Sequence, residues 1–301
     1  MAINTGSFAK ALWPGVNSWY GQAYDEHGVE YTDLFNTESS RKAFEEDMGT
    51  SMFGLASVKP EGTSIAYDTA QQGFLTRYTH VTYGLGFIIT REMVDDDQYD
   101  VIGKKRAKGL AFSMRQTKEI VGANVYNRAN SSTYTGGDGV ELASSLHVNV
   151  AGGTYANETT AATLSEASLE DLVILMMKAT NDRGLNIALT GQKLIVPSDL
   201  VFEADRILNS PLRVGTADND LNALKNMGKF PGGVVVNHYL TSATKYFIRT
   251  NCPDGMKHFN RRSDDFGMDN DFDTDNAKYK ATGRYSFGWT DPRGLYCNDG
   301  A

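Results

Sequence analysis

The sequence predicts an α+β fold, and three patterns carry that prediction. A strand-like stretch runs from Thr63 to Thr90, one helical periodicity runs from about Asp97 to Arg128, and large apolar residues alternate with polar ones from Lys278 to Trp289. The 301 residues suffice for two ordinary domains or one large domain with appendages. Hydrophobic residues at 41% and charged residues at 22% mark a chain that folds. Lys and Arg total 29 against 37 Asp and Glu, a net charge of −8, which disfavours a phosphate-wrapping nucleic-acid binder. No apolar run reaches the roughly 18 residues of a membrane span, and the first twenty residues lack the pattern of a signal peptide. Cys252 and Cys297 have no C-x-x-C spacing, so a reducing, cytoplasmic origin is expected. The sequons at Asn130 and Asn157 carry no weight without a secretory route.

Residues 1–45 hold Phe8, Trp13, Trp19, Tyr20, Tyr24, Tyr31 and Phe35 among Gly, Asn and Asp without a clear period. Each large apolar side chain left in water forfeits roughly 1.5–3 kcal/mol, so this reads as an irregular arm that packs on a neighbouring element or subunit. If the chain builds a larger assembly, deleting residues 1–35 should then leave a foldable subunit but block or misdirect that assembly. Ser39 to Asp47 looks helical, and Pro60-Glu-Gly62 breaks the chain. From Thr63 to Thr90, Thr, Tyr, Val and Ile suit a pleated surface, with Gln71-Gln72-Gly73 as the turn of a projecting hairpin on the order of 30 Å long. Asp95, Asp96 and Asp97 favour the positive end of the helix that follows. In it Ala107, Leu110, Met114, Val121 and Val125 form an apolar stripe, despite Gly103, Gly109 and Gly122.

A second helix carries Leu169, Leu172, Val173, Met176 and Met177 at helical spacing, with Ser168 as N-cap and Gly184 as stop. A strand at Ile187–Leu189, the run Leu194–Val196 and a helix opened by Ser198 and closed by Asn209-Ser-Pro211 follow. The polar 216–226 region reads as a surface loop, and strands at Val234–Val236 and Lys245–Arg249 complete a mixed α/β segment. In the final strand Tyr279, Ala281, Gly283, Tyr285, Phe287 and Trp289 point inward, and Asp291-Pro292 ends it. Burial of Trp289 would make its truncation to Ala cost about 3–5 kcal/mol.

Chemical motifs are scarce. No P-loop, dinucleotide fingerprint, G-x-S-x-G elbow or H-E-x-x-H occurs, and His27, His80, His147, His238 and His258 are dispersed, reading as structural or exposed. Asp269, Asp271, Asp273 and Asp275 invite a calcium reading, but the EF-hand positions for Gly and Glu hold Thr274 and Lys280, leaving a solvated acidic loop. Lys104, Lys105, Arg106 and Lys108 read as a solvated helix face, with Asp100 spaced to pair with Lys104. Glu92 with Asp95–Asp97, or Asp264 with Asp265, are the carboxylate pairs on which a glycosidase would have to draw. The pairs Gly136-Gly137 and Gly232-Gly233 mark turns more often than phosphate loops. The residues assign no catalytic, cofactor or metal site.

The order of elements resembles the major capsid proteins of tailed phages, the Hong Kong 97-type fold, and within them the Mu-like major head subunit group. Tyr83-Gly-Leu-Gly-Phe-Ile-Ile-Thr-Arg-Glu-Met-Val-Asp-Asp-Asp97 looks like that family's junction between an extended loop (the E-loop) and a spine helix. Gly136-Gly-Asp-Gly-Val-Glu-Leu-Ala-Ser-Ser-Leu-His147 looks like the segment after the helix. Arg284-Tyr-Ser-Phe-Gly-Trp-Thr-Asp-Pro-Arg-Gly294 looks like the C-terminal strand and its end. The resemblance implies an N-arm over 1–45, an E-loop over 46–92, a peripheral domain over 93–165 with the spine helix, an axial domain over 166–255, and a return to the peripheral domain over 256–301.

It also implies a structural protein, not an enzyme, that assembles as hexamers and pentamers into an icosahedral head shell around packaged double-stranded DNA. A net acidic wall suits a container that must not grip its contents. The chain begins at Met1 with the arm, so a separate scaffolding protein is expected beside a portal, with or without a decoration protein, in shells built in the host cytoplasm. The Lys–Asn crosslinking motif of some relatives has no match here, so the resemblance implies no catalytic residue and no cofactor. Three other readings stand beside this one: an encapsulin-like nanocompartment shell, an acidic α/β glycosidase-type enzyme, and a surface-binding module that uses the aromatic N-terminus as a ligand platform.

Overall fold

In the computed structural model the backbone is described for residues 9–95, 99–213, 220–271 and 276–301, and the side chains of these except 9–16, 94, 95, 99–101 and 270. The long helical periodicity is real. Helix α4 (Tyr99–Asn127) has 29 residues, about 44 Å at 1.5 Å per residue. Its stripe of Ala107, Leu110, Ala111 and Met114 is buried against a four-stranded sheet, whereas Val121 and Val125 are only half-buried because the seam turns toward Ala123 and Tyr126. Gly122 is there for contact: a Cβ would stand 3.2 Å from the Phe287 ring and 3.4 Å from Tyr31. Asp96 and Asp97, expected to favour the helix start, lie outside the described residues, as do the Asp95 and Asp100 side chains.

The sheet has the order β1-β11-β12-β4, with β1 (Asn36–Ser39) parallel to β11 (Met256–Asn270), and β12 (Ala277–Trp289) antiparallel to both β11 and β4 (Val81–Ile89). The alternation along β12 buries Ala277, Tyr279, Ala281 and Tyr285 and exposes Lys278 and Lys280. It fades at the end, where Trp289 is half-buried. The expected large cost of truncating Trp289 is corrected downward for that reason. The alternation does not predict strand β11, because Arg262, Asp265 and Asp269 face water and two register shifts interrupt its pattern.

Several expectations near the N-terminus are corrected. The aromatic segment is a helix, α1 (Ala9–Glu26); Pro14, Gly15 and Gly21 mask the period, but Tyr20, Ala23, Tyr24 and His27 fall on one face. Tyr20 stacks on Phe266 at 4.6 Å, and after the short α2 (Tyr31–Leu34), Leu34 and Phe35 are fully buried. The arm is thus regular where irregularity was expected, and of the two expected packing partners, a neighbouring element or a neighbouring subunit, it takes elements of its own subunit. Phe8 and the Trp13 side chain lie outside the described residues. The stretch read as helical, Ser39 to Asp47, forms the end of β1 and the start of β2 (Phe44–Thr50), because strand partners on both sides outweigh local propensity.

The hairpin exists with a different register. Strand β3 (Gln72–Thr79) pairs with β2 and not with the chain after it, so Gln71-Gln72-Gly73 opens a strand instead of turning one, and Thr63–Asp68 is not a strand. His80 alone separates β3 from β4, and the short α3 (Arg91–Asp95) follows β4. The buried His80 ring lies 2.9 Å from Ser286 Oγ and 3.0 Å from Ser40 Oγ, which fixes the point where the chain changes partner.

After α4 come the small strands β5 (His147–Val148), β6 (Thr154–Tyr155) and β7 (Glu158–Thr159), then α5 (Glu166–Met177). Ser165, not Ser168, caps α5. Ser168 is its partner in a reciprocal capping box, and the helix ends at Lys178, well before Gly184. Ile187–Leu189 is not a strand, since Ala188 takes φ 48° and breaks the extended run. A five-stranded sheet follows with order β7-β13-β10-β8-β9, from β8 (Gly191–Val196), β9 (Val234–Val236), β10 (Tyr246–Thr250) and β13 (Leu295–Asn298). The helix after Ser198 is α6 (Val201–Asn209), and Asn222 caps a short α7 (Ala223–Asn226) inside the expected loop, whose 214–219 stretch lies outside the described residues.

Leu194, Val196, Tyr246, Ile248 and Tyr296 face α5 and α6, whereas Ile195, Phe247, Leu295 and Cys297 face Tyr126 of α4. Both faces of the second sheet are thus covered. The C-terminal segment is not confined to the first sheet, because β13 pairs with β10 and β7 in the second.

Candidate assembly interface

The surface that projects is residues 51–71, between β2 and β3, which carry no regular secondary structure. Its base is closed by Ser51 N–H to Gln71 O at 2.9 Å and Gln71 N–H to Ser51 Oγ at 2.7 Å. Farther out Asp68 accepts from the N–H groups of Gly54 and Thr69, both at 2.8 Å, and these bonds hold its pKa below the usual carboxylate range. Arg183 reaches across from the turn after α5, donating to Thr69 O at 2.8 Å and Met52 O at 3.2 Å. That turn is itself set, since Asn181 Oδ1 accepts the N–H groups of Arg183 and Leu185 at 2.9 Å. The projection thus has a bracketed root.

Beyond the bracket, Leu55 is 84% exposed, Val58 94% and Tyr67 94%, with Met52, Phe53 and Ile65 also in solvent. Six large apolar side chains exposed within one short segment are more than the scattered ones a monomer's surface normally shows, which makes the segment a candidate association site. At the root, Lys257 holds Asp47 and Asp254, and Thr290 Oγ1 donates to Asp47 at 2.8 Å. Burial opposes charge on Asp47, but the Lys257 and Thr290 hydrogen bonds outweigh it and leave its pKa lowered. The same contacts raise the pKa of Lys257 against its own burial.

The residues weighed for chemistry do not converge. His27 packs on Phe112, His238 is exposed beside Glu30 at 2.6 Å, and His258 stacks on Phe287 at 4.3 Å, so these rings sit in separate places. His147 is buried, with Nδ1 2.6 Å from Asp138 Oδ2 and Nε2 3.2 Å from Leu142 O. Asp264 turns inward to accept the Tyr24 hydroxyl at 2.5 Å while Asp265 is exposed, so the two do not face a common space. Of the acidic loop, Asp271 lies 2.8 Å from Lys278, and Asp273 and Asp275 lie outside the described residues. Lys104, Lys105 and Arg106 are exposed along α4. Burial and then Asp291 push the Cys252 thiol up to about 12, which is unlike an activated nucleophile. Among the described residues no His, Cys, Asp or Glu cluster could hold a metal ion, and no helix is long and apolar enough to cross a membrane.

Three buried polar positions escaped the sequence reading. Arg293 donates to Asn149 Oδ1 at 2.6 Å and Thr180 O at 3.0 Å and lies 3.9 Å over Tyr155. Glu119 accepts the N–H groups of Glu30 and Tyr31 at 3.1 and 2.8 Å, tying α2 to α4. Lys118 lies 4.7 Å over the Tyr31 ring, and burial lowers its pKa. The signal for the last two was their position on the inward stripe of α4.

Comparison with known proteins agrees with this geometry. A family model described as phage capsid protein matches residues 74–298. No curated protein sequence matches the chain closely enough to count as a relative. Among solved structures, a virus-like particle from Pyrococcus furiosus is similar at a TM-score of 0.55 with 11% identity, covering 93% of this chain and 96% of that one. A chain from Mycobacterium phage Che8 is similar at 0.53 with 14% identity, covering 91% and 93%, and the capsid of a native GTA particle at 0.54 with 12% identity, covering 91% and 92%. At such identities the likeness shows the fold, which is that of Hong Kong 97-type capsids. With three quarters of its length inside the family model, the chain belongs to the phage capsid protein family and is a structural protein of the capsid shell.

Proposed function

We propose that this subunit assembles as hexamers and pentamers into an icosahedral tailed-phage head that encloses double-stranded DNA, acting by assembly and not by catalysis. The observation that carries the reading is the bracketed apolar projection at 51–71, which offers Leu55, Val58 and Tyr67 to a neighbour. Heterologous contacts of this kind close into rings when the rotation permits. The N-arm is taken as 1–45, the E-loop as 46–92, the peripheral domain as 93–165 with 256–301, and the axial domain as 166–255. Partners in the reading are a scaffolding protein, a portal and a decoration protein, with assembly in the host cytoplasm. A cellular nanocompartment is the second reading, favoured by the likeness to the Pyrococcus particle.

The test is electron microscopy and sedimentation of the purified chain beside a variant carrying Leu55→Ser, Val58→Ser and Tyr67→Ser. The chain should form closed shells or capsomer-sized rings. The variant should keep its melting temperature, since it alters only exposed side chains, and remain small. Normal particles from the variant would remove the loop from the assembly interface.

A further inference from the structure

One groove on the described surface runs against the charge of the whole chain. It lies between β3, the C-terminal half of α4 and the turn at 133–137, and holds about 550 Å³. Val121, Val125, Phe287 and Trp289 give it an apolar floor. No Asp or Glu lines it, whereas Arg77 and Arg128 do, in a chain with eight more acidic than basic residues. Both guanidiniums are positioned on aromatic rings, Arg77 at 3.6 Å over Phe44 and Arg128 at 4.4 Å over Tyr134. The carboxylate near Arg77 is Glu46 at 3.9 Å, and that pair is solvent-exposed and therefore weak.

Two further polar atoms of lining residues, Trp289 Nε1 and Thr76 Oγ1, are shut off from water without a hydrogen-bond partner. The wall beside them is built closely: a Cβ on Gly137 would stand 2.9 Å from Thr76 Oγ1 and 3.0 Å from Leu75 O, so glycine is what lets the turn close there.

We propose that this groove docks a short peptide segment of a separate partner protein, one that carries carboxylates flanked by apolar side chains. Arginine forks match carboxylates with two parallel hydrogen bonds, and the floor takes the apolar neighbours. A phosphate backbone fits less well, because it would leave the apolar floor wet. A second copy docking through its loop also fits less well. Its exposed 51–71 segment has only Glu61 and Asp68, and Asp68 is engaged by Gly54, Thr69 and Arg183, which leaves one carboxylate for two arginines. The proposal rests on the shell reading for the existence of a partner. Peptide binding is read by itself, so its failure and a failure to assemble are separate results.

The probe is a fluorescein-labelled peptide of about twelve residues repeating Glu-Leu-Phe, with a Gln-Leu-Phe repeat as control, titrated into the purified full-length chain by fluorescence polarisation. The Glu peptide should bind roughly tenfold more tightly than the control, and Arg77→Gln with Arg128→Gln should weaken it by about the same factor. Lys105→Gln with Arg106→Gln, on an exposed stretch of α4, should leave binding unchanged. Equal binding of the two peptides, or equal loss in both paired variants, overturns the proposal. It is likewise overturned if the Arg77/Arg128 variant keeps its melting temperature but loses particles while the wild-type chain binds no peptide, which would make the occupant a second copy.

Discussion

His258 is stacked on Phe287 and set close to the Lys118 ammonium, and burial followed by that charge holds its pKa at about 3. An unfolded histidine titrates near 6.5, so between roughly pH 6.5 and 3 the unfolded chain binds the proton and the folded chain does not. This group therefore removes stability as pH falls through that window and contributes nothing above it. Urea midpoints at pH 7 and pH 4 should differ less in His258→Phe than in the wild type; an unchanged slope would place the acid sensitivity elsewhere. Asp47 acts lower on the scale, because its folded pKa is depressed and its contribution is lost only as pH drops below the ordinary carboxylate range. Asn157 makes a different point. It falls in a sequon, yet it is fully buried, its Nδ2 donating to Leu142 O at 2.7 Å and its Oδ1 accepting Ser144 N–H at 2.9 Å. Asn157→Ala strands those groups and should cost about 3 kcal/mol by denaturant titration.

At the scale of elements, the N-terminal helix is the main change to what the sequence suggested. Tyr20, Tyr31, Leu34 and Phe35 are buried in the subunit's own cores, and Arg115 both stacks on Tyr24 at 4.0 Å and donates to its carbonyl at 3.2 Å. Deleting residues 1–35 should therefore lower subunit stability by at least about 5 kcal/mol, counting roughly 1.5–3 kcal/mol for each large side chain lost. A truncated chain that melts with the wild type would return the arm to its neighbour-packing role. The legible elements were those whose burial follows one period: α4, α5 and β12. The illegible ones draw their order from partners far along the chain. Strand β1 exists because β11 lies beside it, β2 because β3 returns to it, and β11 hides its apolar positions behind two bulges. A projection was legible from the polar first half of the Thr63–Thr90 stretch, but as a hairpin turning at Gln71-Gln72-Gly73 and not as the irregular 51–71 segment. The bracket of that segment was not legible, since Arg183 lies more than a hundred residues away.

At the scale of the whole molecule, two forces meet when subunits approach. A charge of −8 repels like subunits over about 10 Å at 0.1 M salt, while in the proposed assembly the apolar loop would attract at contact, by burial that salt does not screen. Raising salt should weaken the first and leave the second. Light scattering should then show assembly quickening between about 20 and 300 mM NaCl, as the Debye length falls from roughly 20 Å to about 6 Å. The Leu55→Ser, Val58→Ser, Tyr67→Ser variant should stay small throughout, because relieving repulsion does not create attraction. If assembly slows as salt rises, opposite charges across the interface dominate the contact. The exposed basic face of α4 at Lys104 to Arg106 would then be the first place to look, since it is a dense cationic stretch on an acidic subunit.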